Sequence, residues 1–289
     1  MPNCLIVYFS QAGSTAKISS AIAEGLRSEG YDVRTFSLTE GKLPPVLDYD
    51  LLGFGSPVFN YGQPFNVVDF VKSLPRLNGK PTFLFNTNGT YQFDAAARFV
   101  KLAKAKGASV VGYFACRGWD SFLGYAKVGW LFSASHPDAG DLSNATAFAR
   151  EVVKRTAGQK QTIAGNLHTV PAPTVYRLER FFTNRCFTSQ FYSRFFRVDN
   201  SLCNSCGLCS KKCPTSNIER DGRGRPIWHR HCIGCLMCEM NCPRAAITSP
   251  LADWAVFRPF LRYNVQKACA DKSLEGARAR HIKGKIELL

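Results

Sequence analysis

The stretch "CLIVYFSQAGSTAKISSAIAEGLRSEG", residues 4–30, decides the fold. Its first six residues form an uninterrupted apolar run, and from Ser14 onward apolar side chains recur at helical spacing until Gly30 ends the pattern. A strand followed at once by a helix is one βα unit. Outward from it, "YDVRTFSL" (31–38), "YDLLGFG" (49–55), "PTFLFN" (81–86) and "SVVGYFAC" (109–116) read as four more strands, bounded by Gly, Pro or Asn. Helical patterns over 65–74, 92–105 and 140–156 lie between or after them. This alternation predicts an α/β domain, a doubly wound five-stranded parallel sheet with helices on both faces. Ligands of such sheets lie beyond the carboxyl ends of the strands, so three strand-end loops are the candidate sites.

The first loop is "SQAGSTAK", Ser10 to Lys17, which supplies Ser10, Gln11, Ala12, Gly13, Ser14 and Thr15. Small and hydroxyl residues at a helix N-terminus let backbone N–H and side-chain O–H groups converge on a phosphate. Ser14 or Thr15 would equally serve as a plain helix cap. The second loop, "GSPVFNYGQP" (55–64), offers Pro57, Val58, Phe59, Asn60 and Tyr61; the third, "NTNGTYQF" (86–93), offers Thr87, Asn88, Gly89 and Tyr91. Gly, Asn and hydroxyl groups beside an aromatic suit a planar ring with one stacked face and a hydrogen-bonded edge. One such aromatic alone would read as loop packing. Three such loops at one sheet edge favour the ring.

Residues 1 to about 157 resemble the flavodoxin family. The family's phosphate loop reads T/S-x-T-G-x-T; Ser10, Gly13 and Thr15 match it, and Ala12 departs by losing a hydroxyl. The resemblance implies FMN, its isoalloxazine held between the second and third loops, with Phe59, Tyr61 and Tyr91 as ring contacts. "CRGWDSF" (116–122) and "HPDAGDL" (136–142) resemble a flavodoxin branch often fused to ferredoxin modules. Flavodoxins surround the flavin with acidic residues, whereas the third loop here contributes only Asp94, so a less reducing flavin is expected. His136 reads as part of a surface loop entering a helix, with Pro137 in the first turn, rather than as a proton donor.

Of twelve cysteines, eight fall in "CNSCGLCSKKCP" (203–214) and "CIGCLMCEMNCP" (232–243), two copies of CxxCxxCxxxCP. The duplicated pattern resembles the bacterial two-cluster ferredoxin. That resemblance implies two [4Fe–4S] clusters and a crosswise ligand set: Cys203, Cys206 and Cys209 with Cys242, and Cys232, Cys235 and Cys238 with Cys213. Paired zinc knuckles are the competing use of the same thiols, but structural zinc sites pair one CxxC with a distant second pair. Gly207 and Gly234 leave room for backbone beside the inorganic sulfides, and "NIERDGRGRPIWH" (217–229) reads as a hairpin. His229 and His231 read as exposed or supporting residues, and Cys4, Cys116, Cys186 and Cys269 as isolated thiols.

A length of 289 residues and 45% hydrophobic content fit a two-domain globular chain, with no apolar run of the ~18–20 residues that a spanning helix needs. The start lacks a signal-peptide pattern, so a reducing cytoplasmic setting is expected, consistent with thiols used for metal. The domains read as 1–157 for the flavodoxin-like part, 158–199 for a linker and basic aromatic helical segment, 200–250 for a small α+β two-cluster ferredoxin-like domain, and 251–289 for an extension of obscure role. In "VYRLERFFTNRCFTSQFYSRFFRVD" (175–199) phenylalanines interleave with arginines, a basic amphipathic helix that suits interdomain packing, or peripheral membrane contact.

The formal charge is +16, and FMN phosphate with two ligated clusters, at about −2 each, leaves roughly +10. A charge of that sign favours acidic redox partners such as a ferredoxin, a flavodoxin or a reductase or acceptor enzyme. The leading expectation is an electron carrier of low-potential or anaerobic metabolism, relaying between FMN and the clusters. A flavin-dependent reductase of quinones or small electrophiles is the enzymatic alternative. A redox sensor on nucleic acid ranks last, because no recognition motif is present.

Overall fold

An apolar run without polar alternation must be covered on both sides, and β1 (Asn3–Tyr8) is: Cys4, Leu5, Ile6 and Val7 are all buried. The computed structural model describes residues 1–158, 164–165, 170–249, 255 and 257–289. In α1 (Ser14–Ser28), Ile18, Ile22 and Leu26 recur one turn apart and share a core cluster with Cys4 and Ile6. β2 (Asp32–Ser37), β3 (Leu51–Pro57), α2 (Phe65–Ser73), β4 (Pro81–Asn88), α3 (Ala95–Ala105) and β5 (Ser109–Arg117) continue the alternation. The strand order is β2-β1-β3-β4-β5 and every pairing is parallel, the doubly wound sheet expected from the sequence. Registers Tyr8↔Gly55, Pro57↔Thr87 and Asn88↔Arg117 align the carboxyl ends of four strands along one edge.

Two glycines of β3 dictate how β4 packs. A Cβ at Gly53 would come within 2.3 Å of the Phe83 ring, and one at Gly55 within 2.2 Å of Phe85. The two rings therefore lie across β3, stack with centroids 6.3 Å apart and join the core cluster under α1. Burying each ring contributes about 1.5–3 kcal/mol, which Gly55→Ala would forfeit by displacing Phe85.

After β5 the chain leaves this sheet. α4 (Leu123–Lys127) and β6 (Trp130–Phe132) lie within residues 120–134, which cluster with the second half of the chain. The chain returns with α5 (Ala139–Thr156), opened by a capping box: Asp138 accepts from Asp141 N–H, and Asp141 accepts from Asp138 N–H. Pro137 precedes that cap and so stands outside the helix rather than in its first turn. β7 (Ala164–Gly165) adds a two-residue parallel strand beyond β5. The first compact unit comprises residues 1–119 and 135–178, the second 120–134 and 179–289.

The stretch 175–199 is not the single amphipathic helix its spacing predicts. It breaks into α6 (Thr174–Phe182), a π-helical turn at Cys186–Phe191 and a 3-10 turn at Tyr192–Phe195. Asn184 is the cause: its side chain donates to Phe181 O at 2.6 Å and accepts from Phe187 N–H at 3.1 Å, in competition with the helical ladder. Phe182, Phe187, Phe191 and Phe195 pack in succession, with centroids 5.8, 6.1 and 4.9 Å apart.

The cysteine-rich module follows as β8 (Arg197–Val198), α7 (Leu208–Lys211), β9 (Ile218–Arg220), β10 (Pro226–Trp228), α8 (Met237–Met240) and β11 (Ile247–Thr248). β9 and β10 form the expected hairpin, and β8 pairs antiparallel with β11. The final segment folds into α9 (Arg258–Ala270), β12 (Gly276–Ile282) and β13 (Lys285–Leu288). β12 pairs with β13 on one side and with β6 on the other, through Gly276↔Phe132, Ala277↔Leu131 and Arg278↔Trp130. The tail thus completes a three-stranded antiparallel sheet with residues 130–132. Parts of the expected linker and tail, at 159–163, 166–169, 250–254 and 256, lie outside the described residues.

Candidate functional site

All eight motif cysteines are free thiols, and they line two separate small hollows. Cys203, Cys206, Cys209 and Cys242 line the first; Cys213, Cys232, Cys235 and Cys238 line the second. Each half of the motif delivers three thiols to one hollow and its fourth to the other. The backbone repeats accordingly at an offset of 29 residues: positive φ recurs at Ser205 (56°) and Gly234 (70°), at Gly207 (73°) and Leu236 (56°), and at Ser216 (49°) and Ala245 (49°). These left-handed residues wrap the first three thiols of each half inward before α7 or α8 carries the chain past, so the fourth faces away. The same offset relates Asn217 N–H, which donates to Cys213 Sγ at 3.3 Å, to Ala246 N–H, which donates to Cys242 Sγ at 3.3 Å.

Electrostatics repeat this partition. Burial pushes the Cys232 thiol up to about 11 and raises Cys235, Cys238 and Cys209 as well. Cys213 adds to the rise at Cys232, Cys235 and Cys238, whereas Cys206 and Cys242 act on Cys209. Burial and neighbouring sulfurs thus disfavour the thiolate form of Cys209, Cys232, Cys235 and Cys238. A polycationic group that takes them as thiolates lifts that penalty and releases protons.

Spacing separates a cluster from a single ion. A tetrahedral zinc ion draws its sulfur ligands to about 3.8 Å from one another. Among the described residues, only His136, Asp138 and Asp141 bring three ligand atoms within 4.8 Å of one another, so the thiol sites are too wide for one ion. They fit an iron–sulfur cube, in which each thiolate meets a different iron. His229 and His231 are exposed and line neither hollow; His229 Nε2 instead lies 3.1 Å from Glu219 Oε2. The sequence reading missed Trp228. Its buried indole N–H has no conventional partner and favours the Cys238 thiolate, while its ring stacks on Phe196 at 5.2 Å.

At the edge of the parallel sheet, Gly13 is left-handed (φ 92°) and opens α1, whose first turn holds no acidic residue and whose N-cap position carries no side chain. The capping role open to Ser14 or Thr15 is therefore not taken up. Ser10 Oγ accepts from Ala16 N–H at 3.2 Å and closes the loop, and Thr15 Oγ1 meets Thr87 Oγ1 at 2.8 Å. A Cβ at Gly118, just past β5, would lie 2.7 Å from Ser14 Cβ and 3.1 Å from Thr87 Cβ, so the glycine lets the chain after β5 pack closely against the first and third loops. A helix N-terminus with hydroxyl side chains around it and no acidic residue in its first turn fits a phosphate group. Gln11 and Ala12 complete the turn between Ser10 and Gly13. Gly118 was not singled out from the sequence, since its contribution is the absence of a side chain.

The second loop is a tight turn: Phe59 and Gly62 exchange backbone hydrogen bonds of 2.8 and 2.9 Å around Asn60 (φ 46°) and Tyr61 (φ 62°). Pro57 ends β3, and Val58 N–H donates to Thr87 O at 2.9 Å, tying this loop to the third. There Asn88 Nδ2 donates to Thr90 O at 2.9 Å and Arg117 donates to the same carbonyl. Gly89 continues the turn toward Tyr91. Tyr61 and Tyr91 join one aromatic cluster through Phe93 and Tyr176, which touch both. Tyr61 lies 5.2 Å from Phe93 and 4.9 Å from Tyr176, and Tyr91 stacks on Phe93 at 5.3 Å. Rings in direct contact leave no room for another ring between them. Phe59 stands outside this cluster, half-buried and edge-on to Phe9 at 6.2 Å. Tyr176, buried at 1% exposure, comes from α6, far along the chain from the loops it supports.

Comparison with known proteins covers both halves. The Flavodoxin domain family matches residues 5–127, and the 4Fe-4S dicluster domain family matches residues 195–243. An uncharacterized protein of Methanocaldococcus jannaschii is 29% identical over 145 residues, 49% of this chain and 91% of its own. Pyruvate synthase subunit PorD of the same organism is 41% identical over 58 residues, 19% of this chain and 67% of its own. A solved flavodoxin from the domain Archaea aligns at 19% identity and a TM-score of 0.44, covering 54% of this chain and 99% of its own. The class defined by these two domains is an electron-transfer protein that uses FMN and [4Fe–4S] clusters. The chain belongs to the flavodoxin–ferredoxin fusions. No helix among the described residues is long and apolar enough to cross a membrane.

Proposed function

We propose that the protein relays electrons between FMN at the edge of the parallel sheet and two [4Fe–4S] clusters in the cysteine-rich module, exchanging them with acidic redox proteins in the cytoplasm. The observation that carries this reading is the division of eight free thiols into two hollows, each completed by a cysteine from the other half of the motif. Cys203, Cys206, Cys209 and Cys242 hold one cluster; Cys213, Cys232, Cys235 and Cys238 hold the other. The N-terminal N–H groups of α1, with Ser10, Ser14, Thr15 and Thr87, hold the FMN phosphate, and Gly118 lets Ser14 and Thr87 pack close to the end of β5. Tyr61, Tyr91 and Tyr176 rigidify the ring loops, and Phe59 remains the candidate for direct ring contact.

FMN exchanges electrons singly or in pairs and each cluster one at a time, so the pairing suits conversion between the two modes. The chain itself contributes position and tuning. Backbone N–H groups on Cys213 and Cys242 stabilise charge on those sulfurs. The formal charge of +16 favours fast, salt-sensitive docking of acidic partners. The test is anaerobic purification with iron, sulfide and flavin counted per chain, then a redox titration of the same sample. About eight irons, eight sulfides and one flavin are expected. Two zinc ions and no flavin would refute the proposal.

A further inference from the structure

A cavity of about 880 Å³ opens within the second unit, lined by Lys127, Gly129, Trp130, Arg258, Arg262 and Arg278 among others. Its lining has four cationic side chains and no carboxylate side chain; the anionic group beside them is the α-carboxylate of Leu289, whose N–H donates to Arg278 O at 2.9 Å. Three separate segments bring them together: the end of α4, one face of α9, and β12. Arg258 and Arg262 stand one turn apart on α9, so their like charges repel. The Arg278 guanidinium lies 4.9 Å from the Trp130 ring centroid, and a Cβ on Gly129 would lie 3.7 Å from its Nη1. Lys127 is anchored by buried Glu239. Among the described residues no carboxylate lies within ion-pair distance of Arg258, Arg262 or Arg278.

We infer that this cavity is a binding site for a small, multiply charged phosphate compound. Its volume falls within the range of about 300–1,000 Å³ typical of small-molecule sites, and it is concave rather than a flat basic face. Guanidinium groups present paired donors that match phosphate oxygens, and three converging on one space lose their mutual repulsion when an anion enters. The stacking of Arg278 on Trp130 fixes one of those forks in advance. The site uses none of the cysteines or strand-end loops of the proposed electron path, so it stands or falls separately.

Calorimetric titration of the full-length holoprotein with inorganic pyrophosphate, and with ATP as a second probe, tests the site. Saturable binding is expected, weakened about tenfold or more in Arg258→Gln/Arg262→Gln, since each charged hydrogen bond lost is large. Arg258→Lys/Arg262→Lys should recover part of the affinity, and Lys285→Gln, which removes an exposed charge elsewhere, should leave it unchanged. Iron and flavin content equal to the parent's shows that a variant is folded. Absence of saturable pyrophosphate binding, or an equal loss in Lys285→Gln, would overturn the inference. So would variants that impair only the docking of an acidic protein or of phosphatidylglycerol vesicles, since the arginines would then serve a macromolecular surface.

Discussion

Lys127, at the end of a short helix inserted after the fifth strand of the flavodoxin sheet, donates to Glu239, which is 2% exposed and sits between Cys238 and Cys242. A carboxylate this deeply placed is tolerated because a cation meets it there. Lys127→Met should destabilise the second unit by up to about 3–5 kcal/mol, and Glu239→Gln in the same chain should restore much of the loss. Anaerobic urea unfolding, followed through the visible absorption of the clusters, measures both. Equal stability of Lys127→Met and parent would mean that other groups hold Glu239.

Crosswise ligation predicts an asymmetric response to a single thiol. Cys213→Ala removes the fourth ligand from the hollow of Cys232, Cys235 and Cys238, so iron should fall from about eight to about four per chain. Cys242→Ala should spare that hollow and empty the other. Should Cys213→Ala instead disturb the cluster of Cys203, Cys206 and Cys209, the ligand assignment is wrong.

Gly118→Ala inserts a methyl group 2.7 Å from Ser14 Cβ, where the phosphate loop faces the third loop. FMN affinity should drop about tenfold or more, while riboflavin, which lacks the phosphate, should bind as before. Flavin fluorescence titrations distinguish the two ligands. An equal loss for both would place Gly118 in a general folding role.

Asp120, at the start of the insertion, is pushed up to about 6 by burial, against the opposing hydrogen bond from Phe122 N–H. A raised carboxyl pKa favours the protonated form in the folded chain. Its contribution is therefore fully present below about pH 4 and is lost as pH rises through about 6, amounting to at most about 3 kcal/mol before solvent screening reduces it. Asp120→Asn keeps an acceptor for Phe122 and should flatten this part of the profile. Urea midpoints at about pH 5 and pH 8 should therefore differ less in Asp120→Asn than in the parent.

The sheet was legible because β1, β3, β4 and β5 are short, largely apolar runs with Gly, Pro or Asn at or near their ends, and because β1 and α1 are adjacent in sequence. Duplicated cysteine spacing carried the second module for the same reason: the repeat is local, and its mechanics are backbone mechanics. What escaped was long-range. Nothing in "WLF" at 130–132 announces that its pairing partner is Gly276–Arg278. Tyr61 and Tyr91 read as ring walls because Tyr176, which packs against both of them and against Phe93, lies in a segment that looks like linker. The break in 175–199 was hidden because hydrophobic periodicity does not register the competition that the Asn184 side chain offers to the backbone.

The strand at Trp130–Phe132 is made early by the ribosome, but among the described residues it is paired only by Gly276–Arg278. At about 5–20 residues per second, the roughly 140 intervening residues impose a wait of about 7–30 seconds before its hydrogen-bonding partner emerges. The iron-binding half is therefore not a transplantable cassette. A gene fragment opening at residue 179 would encode β12 with one naked edge, ready to zip onto a second molecule.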